Sequence, residues 1–309
     1  MLRETLTREV NIREQLPHDL RRILFVGAWA AAVVGLRATY WYARMYWPHN
    51  IDAYYYWYAL RRRDIYTTGP MTVGAFLYSP AFAQVLWPFA RLPFPIFIGA
   101  VWATNSSLLL WLLKPLRLRW VIPVSLALSS EVFGGNIFIP LAAMVVLGFS
   151  HPGAWAFSAL TKVSTTVMPL WWLVRREWAP LMRWAATTLV LAVASAALAP
   201  TLWLQWISHL ASWATQSGHT LGNPTTVPLL YRAPLGIVLL VVGARRGWRW
   251  TVPAAAVLCT PVFWLGAYAW LAAIPRLQMR AGTPATRILR ESASWPQEGL
   301  STSSSSAAS

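Results

Sequence analysis

The lengths of its apolar runs constrain this chain more than any other feature. A helix that crosses a bilayer needs about 20 apolar residues. Residues 23–41, 95–113 and 182–204 supply that and 227–243 come close, whereas 79–90, 121–133, 136–149, 153–161, 165–174, 250–260 and 265–275 are too short. With 57% hydrophobic residues, 21 tryptophans and 12% charged residues in 309, there is too little polar surface to cover a soluble globule. The reading is an all-α, polytopic transmembrane helical bundle with several short or broken helices. A helix that stops inside a bilayer is tolerated where its open backbone is buried in protein or lines a wet cavity.

Charge gives the bundle a direction. The net charge of +16 comes as short arginine clusters between apolar stretches, not as a stripe on a polar face, so nucleic acid is not a partner. If the short pieces rise and return at Gly134-Gly135-Asn136, at Lys162 to Thr165 and at Thr260 to Trp264, one side collects most of the basic residues. These are the N-terminal arginines, Lys114/Arg117/Arg119, Arg175/Arg176/Arg183, Arg245/Arg246/Arg249 and Arg276/Arg280. By the positive-inside rule that side is cytoplasmic, which makes the chain a multi-pass cell-membrane protein with a cytoplasmic N-terminus. The three breaks, the Asp52 loop and the loop 205–226 then face outward, and residues 79–90 must form a partial or re-entrant helix. Arg44, Arg61, Arg62, Arg63 and Arg91 are left outside; Arg61 to Arg63 there hold an anion or snorkel to lipid headgroups.

Residues 1–22 are polar and mixed in charge, without a signal-peptide core, and read as a cytoplasmic leader. Residues 23–275 form the membrane domain. Residues 276–309 end in STSSSSAAS and read as a disordered tail. The single cysteine, Cys259, excludes an internal disulfide. His49, His209 and His219 lie in outer loops without ligand-like spacing, so no metal site is read.

Five residues stand out as chemical candidates. Asp52, just past the first span, is either the N-cap of a helix over 53–63 or a partly desolvated general base for a hydroxyl. Lys162 is one of two lysines and sits in AFSALTKVSTTVMPL, a costly place unless it meets an anion or snorkels out. Glu131, in LALSSEVFGGN, is explained most simply by pairing with Lys162 or an arginine. Asn223 and Arg232 frame the entry of a span, where an amide binds a sugar hydroxyl or caps the helix.

The order of short motifs adds to this. Asp52 followed by tyrosines and Ala59-Leu60, then Asp64-Ile65-Tyr66, Tyr78-Ser79-Pro80 and a Leu92-Pro93 turn, resembles the start of glycosyltransferase family 87, membrane enzymes of the GT-C type. The resemblance runs in order over roughly residues 20–275. It continues through Gly135-Asn136 (the family tends to have Gly-Gln), Lys162-Val163-Ser164-Thr165 (like Lys-x-Thr-Pro) and the basic turn Arg175-Arg176-Glu177-Trp178. Asn223-Pro224-Thr225 with Arg232 and Thr260-Pro261-Val262-Phe263-Trp264 complete it. Where the family commonly carries histidine after the last motif, this chain reads Leu265-Gly266-Ala267.

The resemblance implies inverting transfer of a sugar, mannose first among candidates, from a polyprenyl phosphate donor to a lipid or glycan acceptor hydroxyl at the outer face, without a cofactor or metal. Asp52 corresponds to the base. Lys162, with Arg232 or Arg61, holds the departing phosphate. Asn136 and Asn223 contact substrate, and Tyr56, Tyr78 and Trp264 stack on sugar or guide the prenyl chain. Two other readings remain: a lipid or small-molecule transporter, since broken helices also build carrier sites, and a catalytically inactive membrane partner subunit.

Overall fold

The computed structural model describes residues 18–49, 51–62, 64–68, 75–216, 227–261 and 265–281. Among them every regular element is helical and no strand occurs. Three helices are long and apolar enough to cross a membrane, Asp19–Met45, Phe94–Leu113 and Trp178–Leu198, on the three runs whose length met the requirement.

In chain order, α1 is His18–Trp41 and runs into a π-helical turn, Tyr42–Tyr46. Next come α2 (Asp52–Ala59), α3 (Pro80–Ala90), α4 (Phe94–Leu113), α5 (Leu118–Ala127), α6 (Ser129–Gly134), α7 (Phe138–Gly148) and α8 (Gly153–Thr161). A 3-10 turn over Val163–Val167 leads to α9 (Leu170–Arg175), α10 (Trp178–Leu198), α11 (Pro200–Gln216), α12 (Leu229–Arg246) and α13 (Thr251–Leu258). A 3-10 segment, Leu265–Ala273, and α14 (Ile274–Ala281) follow.

Burial separates the long helices from the short ones. Within α10, Met182, Leu189, Val190 and Val193 are all more than half exposed, an apolar surface that water would penalise and lipid accepts. By contrast α7, too short to span, has Ile139, Leu141, Ala142, Ala143, Val145 and Val146 fully buried. It packs against α4, α8, α13 and the 3-10 segment. The core is thus built largely on α7 and its short neighbours together with one side of α4, where Phe97, Ile98, Leu109, Leu112 and Leu113 are buried, while α1 and α10 are mostly exposed; an interrupted backbone buried in protein in this way is the kind a bilayer tolerates. Side chains complete it locally: Trp155 and Trp172 stack with centroids 4.0 Å apart, and the Trp155 indole donates to the Val145 carbonyl at 3.2 Å.

Local chemistry explains the boundaries near the site. Ser79 is extended and caps α3, with Pro80 opening the helix; its hydroxyl also donates to the Leu160 carbonyl at the end of α8. One residue type at one position thus starts one short helix and fastens the end of another.

Three sequence expectations change. The segment 205–226 does not begin as a loop: Ala199 leaves helical geometry at φ −151° and ψ 70°, and Pro200 starts the separate helix α11. That helix is tied back by Trp203 donating to Ser195 Oγ at 3.0 Å and Trp206 donating to the Leu77 carbonyl at 3.2 Å. His209 therefore lies on a helix rather than in a loop. The end of the 1–22 leader is already helical, since α1 starts at His18. The boundary drawn at 275/276 falls inside α14, because Arg276 anchors that helix to α4, with Nε donating to the Trp111 carbonyl at 2.6 Å and the guanidinium 4.3 Å from the Trp111 ring.

Candidate functional site

Asp52 is the first residue of α2, and Ile51, extended at φ −112° and ψ 149°, holds the cap position. No side chain caps this helix, so the N-cap reading of Asp52 is replaced. Its carboxylate is engaged elsewhere: Asn136 Nδ2 donates to Asp52 Oδ2 at 3.0 Å. Asn136 is itself fixed at several points. Its Oδ1 accepts from the Phe138 amide at 3.3 Å, its backbone N–H donates to the Glu131 carbonyl at 3.2 Å, and its carbonyl accepts from Asn105 Nδ2 at 3.1 Å. An amide locked in this way presents one N–H to the carboxylate in a defined direction.

The turn that aims Asn136 depends on Gly135, which ends α6 in the left-handed region at φ 68°. A Cβ there would stand 2.5 Å from Ala53 Cβ on α2. Both the conformation and the close approach therefore demand glycine. Gly135→Ala combines the left-handed penalty of about 1–2 kcal/mol with a steric clash against the residue next to Asp52. The expected result is a thermal midpoint several degrees lower in detergent, followed by tryptophan fluorescence; an unchanged midpoint contradicts this account of the turn.

Lys162 ends α8 in extended geometry at φ −139° and ψ 120°. Its backbone is pinned, since its N–H donates to the Ser158 carbonyl at 2.8 Å and its own carbonyl accepts from Thr165 Oγ1 at 2.8 Å. The ammonium lies 3.5 Å from the centroid of the Phe138 ring, a cation–π contact that holds the charge without spending its hydrogens. Phe138 opens α7, two residues past Asn136, so one junction orients the partner of Asp52 and the seat of Lys162.

Glu131, on α6, completes the cluster. Asp52, Glu131 and Lys162 lie within electrostatic range of one another, and all three are half-buried. The expected Glu131 ion pair is not formed: the salt bridge among the described residues is Arg175 to Glu177, at 2.6 Å. The three charges instead act on one another beyond ion-pair distance.

The tyrosines form a neighbouring wall. Tyr56 and Tyr78 share a hydroxyl hydrogen bond of 2.8 Å, and Tyr66 donates to the Tyr78 carbonyl at 2.9 Å. The two arginines proposed for a phosphate have backbone work. Arg232, buried, donates Nε to the Val227 carbonyl at 2.6 Å and Nη1 to the carbonyls of Leu258 and Thr260, each at 3.1 Å, closing the C-terminal end of α13. Arg61 donates to the carbonyls of Ala90 and Arg91 at 3.1 and 3.4 Å and lies 4.7 Å from the Trp57 ring centroid. Asn223, Trp264 and Arg63 lie outside the described residues. Sequence reasoning missed Asn105, the buried brace of Asn136; a polar pair inside an apolar span, Asn105-Ser106, was the available signal.

Burial raises the Asp52 carboxyl above the ordinary carboxylate range, and the Lys162 charge and the Asn136 hydrogen bond pull it partly back. A reaction that needs ionised Asp52 then loses rate on the acid side at a pH above about 4. Asn136→Ala removes a donor that favours the charged form, so this acid limb moves to higher pH. A rate profile whose limb stays in place in the variant contradicts the role given to Asn136.

A cavity of about 530 Å³, bounded by Thr39, Trp102, Leu110, Ser125, Ser129 and Phe133 among others, opens on α6; Asp52, Glu131 and Lys162 do not line it. Its lining is mostly apolar, and α6, the helix carrying Glu131, contributes Ser129 and Phe133 to it. No protein family matches the chain, and no curated protein or solved structure matches it.

Proposed function

We propose that this chain is a multi-pass membrane glycosyltransferase of the GT-C type, moving a sugar, mannose foremost, from a polyprenyl phosphate to an acceptor hydroxyl at the outer face of the cell membrane. The observation that carries the reading is the meeting of Asp52, held by Asn136, with Lys162, across breaks far apart in sequence. The same residues bear the resemblance to family 87.

The chemistry divides between them. Asp52 takes the proton from the acceptor hydroxyl as its oxygen attacks the anomeric carbon from the face opposite the phosphate. The bond from that carbon to the phosphate oxygen breaks, the electron pair leaves with the lipid phosphate, and the configuration inverts. Negative charge grows on the phosphate, where a fixed ammonium helps most. Lys162 supplies it, since Arg232 and Arg61 are engaged with backbone carbonyls. The prenyl chain is accommodated by the apolar cavity beside α6. The orientation with the N-terminus in the cytoplasm follows from the basic clusters.

One experiment separates a transferase from a carrier. The purified protein, in liposomes with polyprenyl phosphate mannose and an extract of membrane lipids as acceptors, is followed by mass spectrometry for free polyprenyl phosphate. Release of the phosphate that depends on the acceptor supports the proposal. Movement of intact donor between leaflets without its cleavage assigns the site to transport instead.

A further inference from the structure

Glu131 has no part in these steps, yet it is the acidic residue among the described ones with a buried oxygen that lacks a hydrogen-bond partner. Its Oε2 is sealed from solvent and has no hydrogen-bond partner. A carboxylate in that state needs compensation from something that enters the site. Lys162 does not provide it directly, because no ion pair forms between them.

The opposite wall is shaped to the carboxylate. A Cβ on Gly266, in the Leu265–Ala273 segment, would overlap both Glu131 oxygens. The backbone of Gly266 is not in the left-handed region that favours glycine, so the residue is required there for room rather than for conformation. The room left by the missing Cβ is thus taken by the Glu131 carboxyl itself, which packs against the Leu265–Ala273 segment.

Charge decides which ligand fits. Asp52 and Glu131 both interact electrostatically with Lys162, so an anion is drawn to Lys162 and gains nothing at Glu131. Among the described residues no group of three His, Cys, Asp or Glu side chains gathers to hold a metal ion. A neutral group rich in hydroxyls suits a carboxylate that accepts on both oxygens. Position agrees: Glu131 and Asn136 are joined by a backbone hydrogen bond of 3.2 Å, which puts Glu131 on the same turn as the partner of Asp52.

We infer that Glu131 is a sugar-reading residue, its carboxyl group accepting hydrogen bonds from hydroxyls of the glycosyl group to be transferred, and seated where Gly266 leaves room for it. This rests on the transferase reading and names the group that discriminates a sugar-bearing donor from the bare lipid phosphate.

The test measures binding of polyprenyl phosphate mannose and of bare polyprenyl phosphate to the full chain in detergent, by microscale thermophoresis, with transfer assayed on the same preparations. Wild-type protein is expected to bind the sugar-bearing lipid at least about tenfold more tightly, as a site built around hydroxyls rejects a ligand lacking them. Glu131→Gln keeps the size, and Gly266→Ala displaces the carboxylate without touching its chemistry. Both are expected to reduce the preference below about threefold while binding of the bare phosphate stays within about twofold. A preference that survives in both variants, or is absent from the wild type, overturns the inference. Wild-type preference lost in the variants but without transfer leaves Glu131 as a sugar-reading residue and removes the transferase reading. Transfer with an unchanged preference in Glu131→Gln does the reverse.

Discussion

Asp52→Asn is expected to lower sugar transfer by about 10³-fold or more, since a positioned general base contributes about 10²–10⁴ and an amide cannot accept the proton. The substitution is nearly isosteric, and the new side-chain carbonyl still accepts from Asn136 Nδ2, which now lies 3.0 Å from the carboxylate. Membrane yield and thermal midpoint should therefore match the wild type. The half-buried carboxylate, held above the usual range mainly by desolvation, is if anything easier to fold without its charge. Transfer within about tenfold of wild type, relative to that general-base contribution, removes Asp52 from the chemistry and leaves Asn136 bracing a structural acid.

Lys162→Met carries the next largest effect. Methionine keeps a flexible apolar stem against Phe138, whose ring centroid the ammonium now approaches to 3.5 Å, but loses the charge that meets the leaving phosphate. Removing one preorganised stabilising donor costs about 10²–10³ in turnover, and the loss should fall on kcat and kcat/KM alike, the mark of an interaction made in the transition state. A second readout follows from electrostatics. The Lys162 charge lowers the pKa of Asp52, so the acid limb of the residual activity moves to higher pH. A variant that raises KM alone assigns Lys162 to ground-state binding.

Much of the architecture was legible because membrane helices obey a length rule. Two of the runs that met it became long apolar helices close to their expected bounds, and the third, 182–204, gave Trp178–Leu198 with its last residues in α11. The breaks at Gly134-Gly135-Asn136 and at Lys162 were legible too, since glycine pairs and a lysine within apolar sequence carry local costs that need a local reason. Partners across space were not. That Asn136 donates to Asp52, that Asn105 braces Asn136, and that Arg232 closes α13 depend on how short helices pack, and α7 carries no period that reveals which neighbours surround it. Glu131 shows the limit most clearly: pairing with Lys162 or an arginine was the simplest reading of an isolated acid, and no such ion pair forms among the described residues. The helix α11 was hidden because Pro200 reads equally as the end of one helix and the start of another.

The central claim is that a sugar leaves a lipid phosphate in a reaction begun by Asp52. Its most direct test is transfer of radiolabelled mannose from polyprenyl phosphate mannose to organic-extractable acceptors in membranes carrying the wild-type chain or Asp52→Asn at equal, folded abundance. The account predicts labelled product from the wild type and none above background from the variant. Equal product from both membranes, or none from either, contradicts it.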